Sequence, residues 1–271
     1  MLTPLSSISA IEKILPSSGS NPVVVFCDDL NYYASKYGKP HDLFNEHIGA
    51  SFARIWEIPV PNSALIYVNL DHVPAPLPQK SFSIPCFGSF YLEYAKDVND
   101  YLLTWKNNPY ELNKIINPAD LLKIGLFDIW LSNEDRNHNN SNLLIQPLDK
   151  GYQFVAIDHV NLFNSNSLER GIYQLNEYES IICTDFVKML FKRGQRLTEI
   201  VNVLVQNFYI YVRKCLKDLS KILQQVPTAW NIDLVSKANL MKNQLGDKAW
   251  LEQTVQSFRL FLEQQLKRNS V

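Results

Sequence analysis

The chain has 271 residues, of which 46% are hydrophobic and 12% aromatic, enough apolar material for a packed core and too much for a disordered chain. Its 26 Lys plus Arg against 27 Asp plus Glu leave a formal charge of -1, so no bulk positive field points to direct nucleic-acid binding. Only 9 glycines occur, and none are spaced as G-x-G-x-x-G or G-x-x-x-x-G-K, which excludes the Rossmann and P-loop fingerprints. Cys27, Cys86, Cys183 and Cys215 lie far apart without a C-x-x-C pair, and read as buried thiols of a reducing compartment rather than zinc ligands. Met1-Leu2-Thr3-Pro4-Leu5 lacks a basic region followed by an apolar run, and no stretch approaches the roughly 18 apolar residues of a membrane span. A cytoplasmic protein without a membrane partner is expected.

Residues 5–14 fit either strand or helix. After the turn formers of Pro16 to Pro22, Val23-Val24-Val25-Phe26-Cys27 and Asn31 to Tyr37 flank an acidic turn and read as a hairpin. Leu43, Phe44, His47, Ile48, Ser51, Phe52 and Ile55 recur at helical spacing, which predicts a helix over 41–56. Strands are expected over Ala64 to Leu70 and Phe82 to Phe87, separated by the proline-dense loop Val73 to Pro78. Beyond residue 88 the pattern turns helical: a helix after Asn117-Pro118 with Leu121, Leu122, Gly125, Leu126, Ile129 and Trp130 on one face, then helices over 184–193, 197–225 and 247–267. The expected architecture is α+β and two-lobed: a small antiparallel sheet with one helix over 1–87, and a larger, mainly helical lobe over 88–271.

The chemistry lies in the polar stretch 132–142, Ser-Asn-Glu-Asp-Arg-Asn-His-Asn-Asn-Ser-Asn, set between apolar runs as a functional loop on a rigid scaffold would be. Two strands follow. With Pro147 to Gly151 as their loop, Gln146 pairs with Tyr152 and Asn140 falls opposite Asp158, where a carboxamide and a carboxylate converge as hard ligands for Mg²⁺. Asp135, five residues before Asn140, is then free to face a substrate hydroxyl. That is the working geometry of phosphoryl transfer, which also needs a cation on the nucleotide phosphates. Lys36 at a strand end and Glu46 on the next helix supply such a pair.

Asp135-Arg136-x-x-x-Asn140-x-Asn142-Leu143-Leu144-Ile145, followed by Ala156-Ile157-Asp158-His159, resembles the HipA-like kinases and, more distantly, the phosphatidylinositol-kinase type. The resemblance extends through Tyr33-Ala34-Ser35-Lys36-Tyr37, Asn45-Glu46, Ile58-Pro59-Val60-Pro61, Phe87-Gly88-Ser89 and Val226-Pro227-Thr228-Ala229-Trp230, from about residue 20 to 265. It implies a two-lobed protein-kinase-like fold and an ATP- and Mg²⁺-dependent transfer to a hydroxyl, with a protein Ser/Thr as the leading acceptor. Asp135 would be catalytic, Asn140 and Asp158 would bind metal, Lys36 would hold phosphate and Glu46 would hold Lys36. Residues 88–93, with Gly88 and Ser89, would form the hinge facing adenine. No glycine-rich loop is present, and Ser18, Gly19 and Ser20 occupy the place of a phosphate loop. The family also implies a toxin role beside a DNA-binding antitoxin. A small-molecule or lipid kinase, or a non-catalytic nucleotide-binding module, are the alternatives. Arg136 is expected to brace the loop through a carboxylate such as Asp128.

Overall fold

The computed structural model describes residues 2–16 and 21–267. Short runs of β-branched and aromatic residues broken by turn formers give a six-stranded sheet. Its strands are β1 (Thr3–Ser6), β2 (Lys13–Ile14), β3 (Val23–Phe26), β4 (Tyr32–Lys36), β5 (Ser63–Tyr67) and β6 (Cys86–Phe90), in spatial order β1-β5-β6-β4-β3-β2. The sheet is mixed rather than purely antiparallel: β1 runs parallel to β5, Thr3 opposite Ala64, because the chain between them makes a long excursion before returning in the same direction. Residues 5–14 hold no helix: β1 ends at Ser6, Ser7 bridges to Cys27, irregular chain follows to Glu12, and β1 and β2 lie at the two edges.

Side chains alternate across this sheet. Val23, Val25, Tyr33, Ile66 and Cys86 pack with Cys27, Val73 and Phe82 in a small core on one face. Leu65 and Phe87 point the other way, toward α1 (Pro40–Ile55) and the main core. Helix α1 starts on a proline at its first position, has Asp42 in its first turn, and buries residues on nearly every side. Phe52 stacks on Trp130 at 5.6 Å, and Trp56 stacks on Trp130 and Tyr211, both at 5.5 Å between ring centroids. The one helix of the small lobe is therefore joined to the helical lobe by aromatic contacts.

After β6 come β7 (Lys96–Asp97), α2 (Val98–Asn107), α3 (Pro109–Leu112), α4 (Ala119–Leu131), β8 (Leu143–Leu148) and β9 (Gly151–Ala156), with β7, β8 and β9 forming a second sheet. A short turn, α5 (Leu162–Asn166), leads through irregular chain to α6 (Asp185–Leu190), α7 (Gln195–Leu223), α8 (Leu234–Leu245) and α9 (Lys248–Lys267). Nearly every residue of α4 is buried, and Phe208, Val212, Cys215, Leu219, Phe258 and Leu262 close the core around it. Among the described residues no helix is long and apolar enough to cross a membrane. Cys27, Cys86 and Cys215 are buried free thiols, whereas Cys183 is only half-buried.

Several boundaries differ from expectation for local reasons. The strand expected over 82–87 begins at Cys86 and runs to Phe90, because Pro85 has no N–H for a ladder and residues 79–82 form a 3₁₀ turn instead. The small sheet accordingly extends past the expected lobe boundary at 87. The strand expected to reach Leu70 stops at Tyr67, and the Asn69 side chain accepts from the Asp71 N–H to start a 3₁₀ turn. Helices α2 and α8, each capped by an aspartate (Asp97, Asp233), were not legible in the periodicity.

The β8–β9 hairpin is shifted by one residue from the expected register. Leu148 pairs with Gly151 and Gln146 with Gln153, so the loop is the two residues Asp149-Lys150. Pro147 remains in the strand because β7 pairs only with Leu144 and Ile145, leaving no neighbour at position 147 that needs an N–H. Gly151, at φ +147°, lies against the Lys114 carbonyl, where an added Cβ would come within 2.1 Å. Tyr152 donates to that same carbonyl at 2.9 Å and accepts from the Ile116 N–H at 3.0 Å, so a third segment of chain sets the hairpin in place.

Candidate active site

Helix α4 ends at Ser132, whose left-handed backbone (φ 50°) turns the chain into the loop. The loop is fixed from below. Arg136 is fully buried; it donates to Asp128 Oδ1 on α4, to the Ile157 carbonyl at 2.8 Å and to the Asn142 carbonyl at 3.4 Å. Asn133 Nδ2 adds 2.9 Å to the same Asp128 oxygen. One guanidinium thus ties α4, the loop, the start of β8 and the end of β9 together. Burial outweighs the guanidinium and pushes the Asp128 carboxyl above its ordinary value.

Above that support Asp135 is half-buried, and its Oδ2 accepts from Asn140 Nδ2 at 2.9 Å and Asn142 Nδ2 at 3.1 Å. The expected pairing of Asn140 with Asp158 rested on Gln146 opposite Tyr152; in the observed register Asn142, not Asn140, reaches the end of β9, where the Ile157 N–H donates to the Asn142 carbonyl at 3.0 Å. Asp158 still reaches the site. Its φ of 57° and that of Asn142, 44°, break the alternation of the strands.

Asp158 Oδ1 lies 2.6 Å from Lys36 Nζ, which also meets Glu46 Oε1 at 2.5 Å. Glu46 turns its other oxygen toward His159 Nδ1, 3.6 Å away. Burial opposes the charge on Lys36, but Glu46 and Asp158 overcome it and hold the ammonium above the usual lysine range. Burial likewise opposes the charge on Glu46, and Lys36 with His159 overcomes it, drawing that carboxyl down to about 2. His159 sits this close to α1 because position 49 is glycine: a Cβ there would lie 2.4 Å from the His159 Cβ.

These groups border a cavity of about 300 Å³ lined by Ala34, Lys36, Glu46, Asn140, Asn142 and Asp158, with apolar walls from Leu92, Leu144 and Ile157. That size is at the lower end of small-ligand pockets. A wider depression of about 590 Å³ between Glu12, Tyr32, Tyr91 and Gln146 shares the Leu92 wall but contains none of Lys36, Glu46, Asn140, Asn142 and Asp158. Of the two expected hinge residues, Ser89 lines the cavity, whereas Gly88 lies within β6 with its open side against Ile66 and Tyr33. The Phe90 and Tyr91 N–H groups are already given to Asn62 and Tyr32, and the Leu92 carbonyl accepts from the Ala95 N–H at 3.1 Å, so much of the expected hinge backbone is engaged. Ser18, Gly19 and Ser20 lie outside the described residues; Leu15, Pro16 and Pro22 on their flanks line the cavity.

A family model described as HipA-like kinase matches residues 8–259. The chain belongs to the HipA-like kinase family. Among solved structures, it is similar to the Helicobacter pylori proinflammatory kinase CtkA at 12% identity and a TM-score of 0.54, with 98% of each chain covered. It is also similar to a Golgi casein kinase with Mn and ADP bound, at 11% identity and a TM-score of 0.51, covering 98% of this chain and 75% of that one. At these identities the likeness is one of fold, and the fold is that of a two-lobed kinase. No curated protein sequence matches the chain.

In this HipA-like kinase the residues present suit a hard divalent cation. Asn140 and Asn142 turn their Nδ2 groups to Asp135, and among the described residues no donor meets their side-chain carbonyl oxygens or Asp158 Oδ2. Among the described residues no three His, Cys, Asp or Glu side chains are placed to hold a metal ion by themselves, so such an ion would keep water or phosphate oxygens in its shell, as Mg²⁺ does. Sequence reasoning gave Asn142 no role, although its place two residues after Asn140 was a usable signal. Asn45 entered only as part of the family resemblance and was given no role: its Nδ2 donates to the Val160 carbonyl at 2.7 Å and to Asn166 Oδ1 at 2.9 Å, anchoring the chain beyond Asp158 to α1.

Proposed function

We propose that this kinase transfers the γ-phosphoryl group of ATP to a Ser or Thr hydroxyl of a protein, with Mg²⁺ held by Asp158 and Asn140 and assisted by Asn142. The observation that carries this reading is the meeting of Lys36, Glu46 and Asp158 from both lobes at one cavity, beside an Asp135 held by two amides.

When bound, the ion would neutralise phosphate charge. The protein's own contribution is positioning and electrostatics. Lys36, kept charged by Glu46, would exchange its contact with Asp158 for phosphate oxygens. Asp135 has Oδ2 occupied by two amides and Oδ1 without a described donor, so Oδ1 would orient the acceptor hydroxyl. That hydroxyl oxygen bonds to the γ-phosphorus, the bond from the γ-phosphorus to the β,γ-bridging oxygen breaks, ADP leaves, and the proton passes to Asp135. Arg136 and Asp128 hold the loop during this step without touching substrate.

The test uses labelled ATP, Mg²⁺ and a mixed Ser/Thr peptide pool. Asp135→Ala should keep the ATP·Mg²⁺ thermal shift and lose transfer by about 10²–10⁴-fold. Asp158→Ala should lose both the shift and the transfer. Equal label from wild type and both variants would overturn the assignment.

A further inference from the structure

His159 follows Asp158 directly, is 2% exposed, and does not border the cavity, so it has no direct path to nucleotide or acceptor. What it meets is Glu46. That carboxylate is buried, with Oε1 on Lys36 at 2.5 Å and Oε2 facing His159 Nδ1 at 3.6 Å. Among the described residues no other group meets Oε2. A buried carboxylate oxygen left unmet is costly, and a contact at the second oxygen also fixes the plane of the group and hence the direction of the first.

The neighbours Asp158 and His159 thus divide the Lys36–Glu46 pair between them: Asp158 Oδ1 reaches the ammonium at 2.6 Å, and His159 reaches the carboxylate. In an extended strand adjacent side chains point to opposite faces. Asp158, at φ 57°, breaks that alternation, and both side chains reach one ion pair.

The seat of the imidazole is built from α1 and α4. Gly49 lies three residues after Glu46, on the same face of α1, and an added Cβ there would come within 2.4 Å of the His159 Cβ. The ring stands edge-on to Phe127 of α4, with 6.4 Å between centroids and 90° between planes. The backbone on each side is held separately: Arg136 donates to the Ile157 carbonyl at 2.8 Å, and Asn45 Nδ2 to the Val160 carbonyl at 2.7 Å. The segment is therefore anchored by groups other than the imidazole.

We propose that His159 is a positioning residue of the transfer reaction: through Glu46 Oε2 it keeps Glu46 aimed at Lys36 while Lys36 exchanges Asp158 for nucleotide phosphate. The inference rests on the kinase reading above and deepens it by adding a member to the phosphate-binding group. Without nucleotide, Asp158 helps to hold the ammonium beside Glu46. Once Asp158 turns to the metal ion and phosphate takes the ammonium, that hold is gone. His159, on the same stretch of chain, remains on Glu46 and keeps α1 and the metal-binding segment in register. No proton moves in this role.

The test measures the dissociation constant of ATP·Mg²⁺ by calorimetry in wild type, His159→Phe, Glu46→Gln and the double variant. His159→Phe keeps an aromatic ring against Phe127 and removes the polar contact; affinity should fall about five- to tenfold, the loss of one contact to a buried charge. In the Glu46→Gln background the same change should cost less than about twofold, because the oxygen that His159 serves is no longer part of a carboxylate. His159→Gln, whose amide can donate to Glu46 Oε2, should recover most of the loss, which it would not do if the ring served packing alone. Gly49→Ala keeps the imidazole but pushes it off α1, and should weaken ATP·Mg²⁺ with the same dependence on Glu46; it decides the matter if His159→Phe fails to fold. Unchanged affinity in His159→Phe, or fold-changes that simply multiply in the double variant, would overturn the proposal. Wild-type binding and transfer with such independent effects defeat only the role of His159, whereas no wild-type ATP·Mg²⁺ binding defeats the kinase reading itself.

Discussion

Two cation–carboxylate groupings support this site, and they differ in what surrounds them. Arg136 and Asp128 are both fully buried, and three chain segments close over them. Lys36, Glu46 and Asp158 form a grouping of the same chemistry at the cavity edge, where the Asp158 side chain remains 23% exposed. The sealed pair has nothing to exchange with and serves as a structural tie. The open one holds two carboxylates on one ammonium, so an incoming phosphate and cation can divide them. On the proposed function, similar interactions thus serve as scaffold or machinery according to solvent access.

Breaking the sealed pair has the largest expected effect. Arg136→Met leaves the Asp128 charge buried and unpaired, and should cost about 3–5 kcal/mol in urea denaturation. A loss under 1 kcal/mol would mean that the pair does not carry the loop.

His47 shows what burial does to a titrating group without a charged partner. It lies on α1, bonds the Ile222 carbonyl at 2.9 Å through Nε2, and leaves Nδ1 unpaired; burial pushes its pKa down to about 4. A depressed pKa means that the unfolded chain binds the proton more tightly. The stability it contributes is therefore complete above pH 6.5 and drains as pH falls to about 4, on the order of 3 kcal/mol in all. His47→Gln should flatten stability over that window when melts are compared between pH 7 and 4.

The open grouping should respond least in stability and most in ligand binding. Lys36→Met is expected to lose about 1–2 kcal/mol of stability while abolishing the ATP·Mg²⁺ shift. The two groupings also differ in the sign of their acid response. Glu46 is depressed to about 2, so its contribution is present above pH 4.5 and lost as pH falls toward 2. Asp128 is raised, so protonation relieves a cost in the same direction of pH. Glu46→Gln should therefore make the acid limb of a pH-stability curve shallower; an unchanged limb would show that Lys36 does not hold Glu46 ionised.

Legibility in the sequence followed how local each feature was. The β3–β4 hairpin and α1 show clear periods, and the structure places both within a residue or two of expectation. Helix α8 was missed because few of its positions are apolar and buried, and one buried position is Lys237, 2.6 Å from Glu169. A lysine there reads as surface until the partner segment is seen. The β8–β9 register differs from expectation because Pro147, expected in the loop, pairs with Tyr152 in the strand, and the shortness of β7 leaves it no outer ladder to break.

By itself, the sequence determined the chemical inventory and its order: Lys36, Glu46, Asp135, Asn140 and Asp158, together with the HipA-like pattern around them. Residue type and spacing are enough for that, since they state which groups can donate, accept or carry charge. Only the tertiary structure decided which charges meet. Asp158 reaches Lys36 through left-handed backbone that strand alternation does not foresee, Asn142 joins Asn140 on Asp135, and the Ser165 and Tyr173 hydroxyls meet Glu134. The physical reason is that pairing and burial depend on segments distant in sequence, and a single φ of the opposite sign redirects a side chain whatever its neighbours' periodicity.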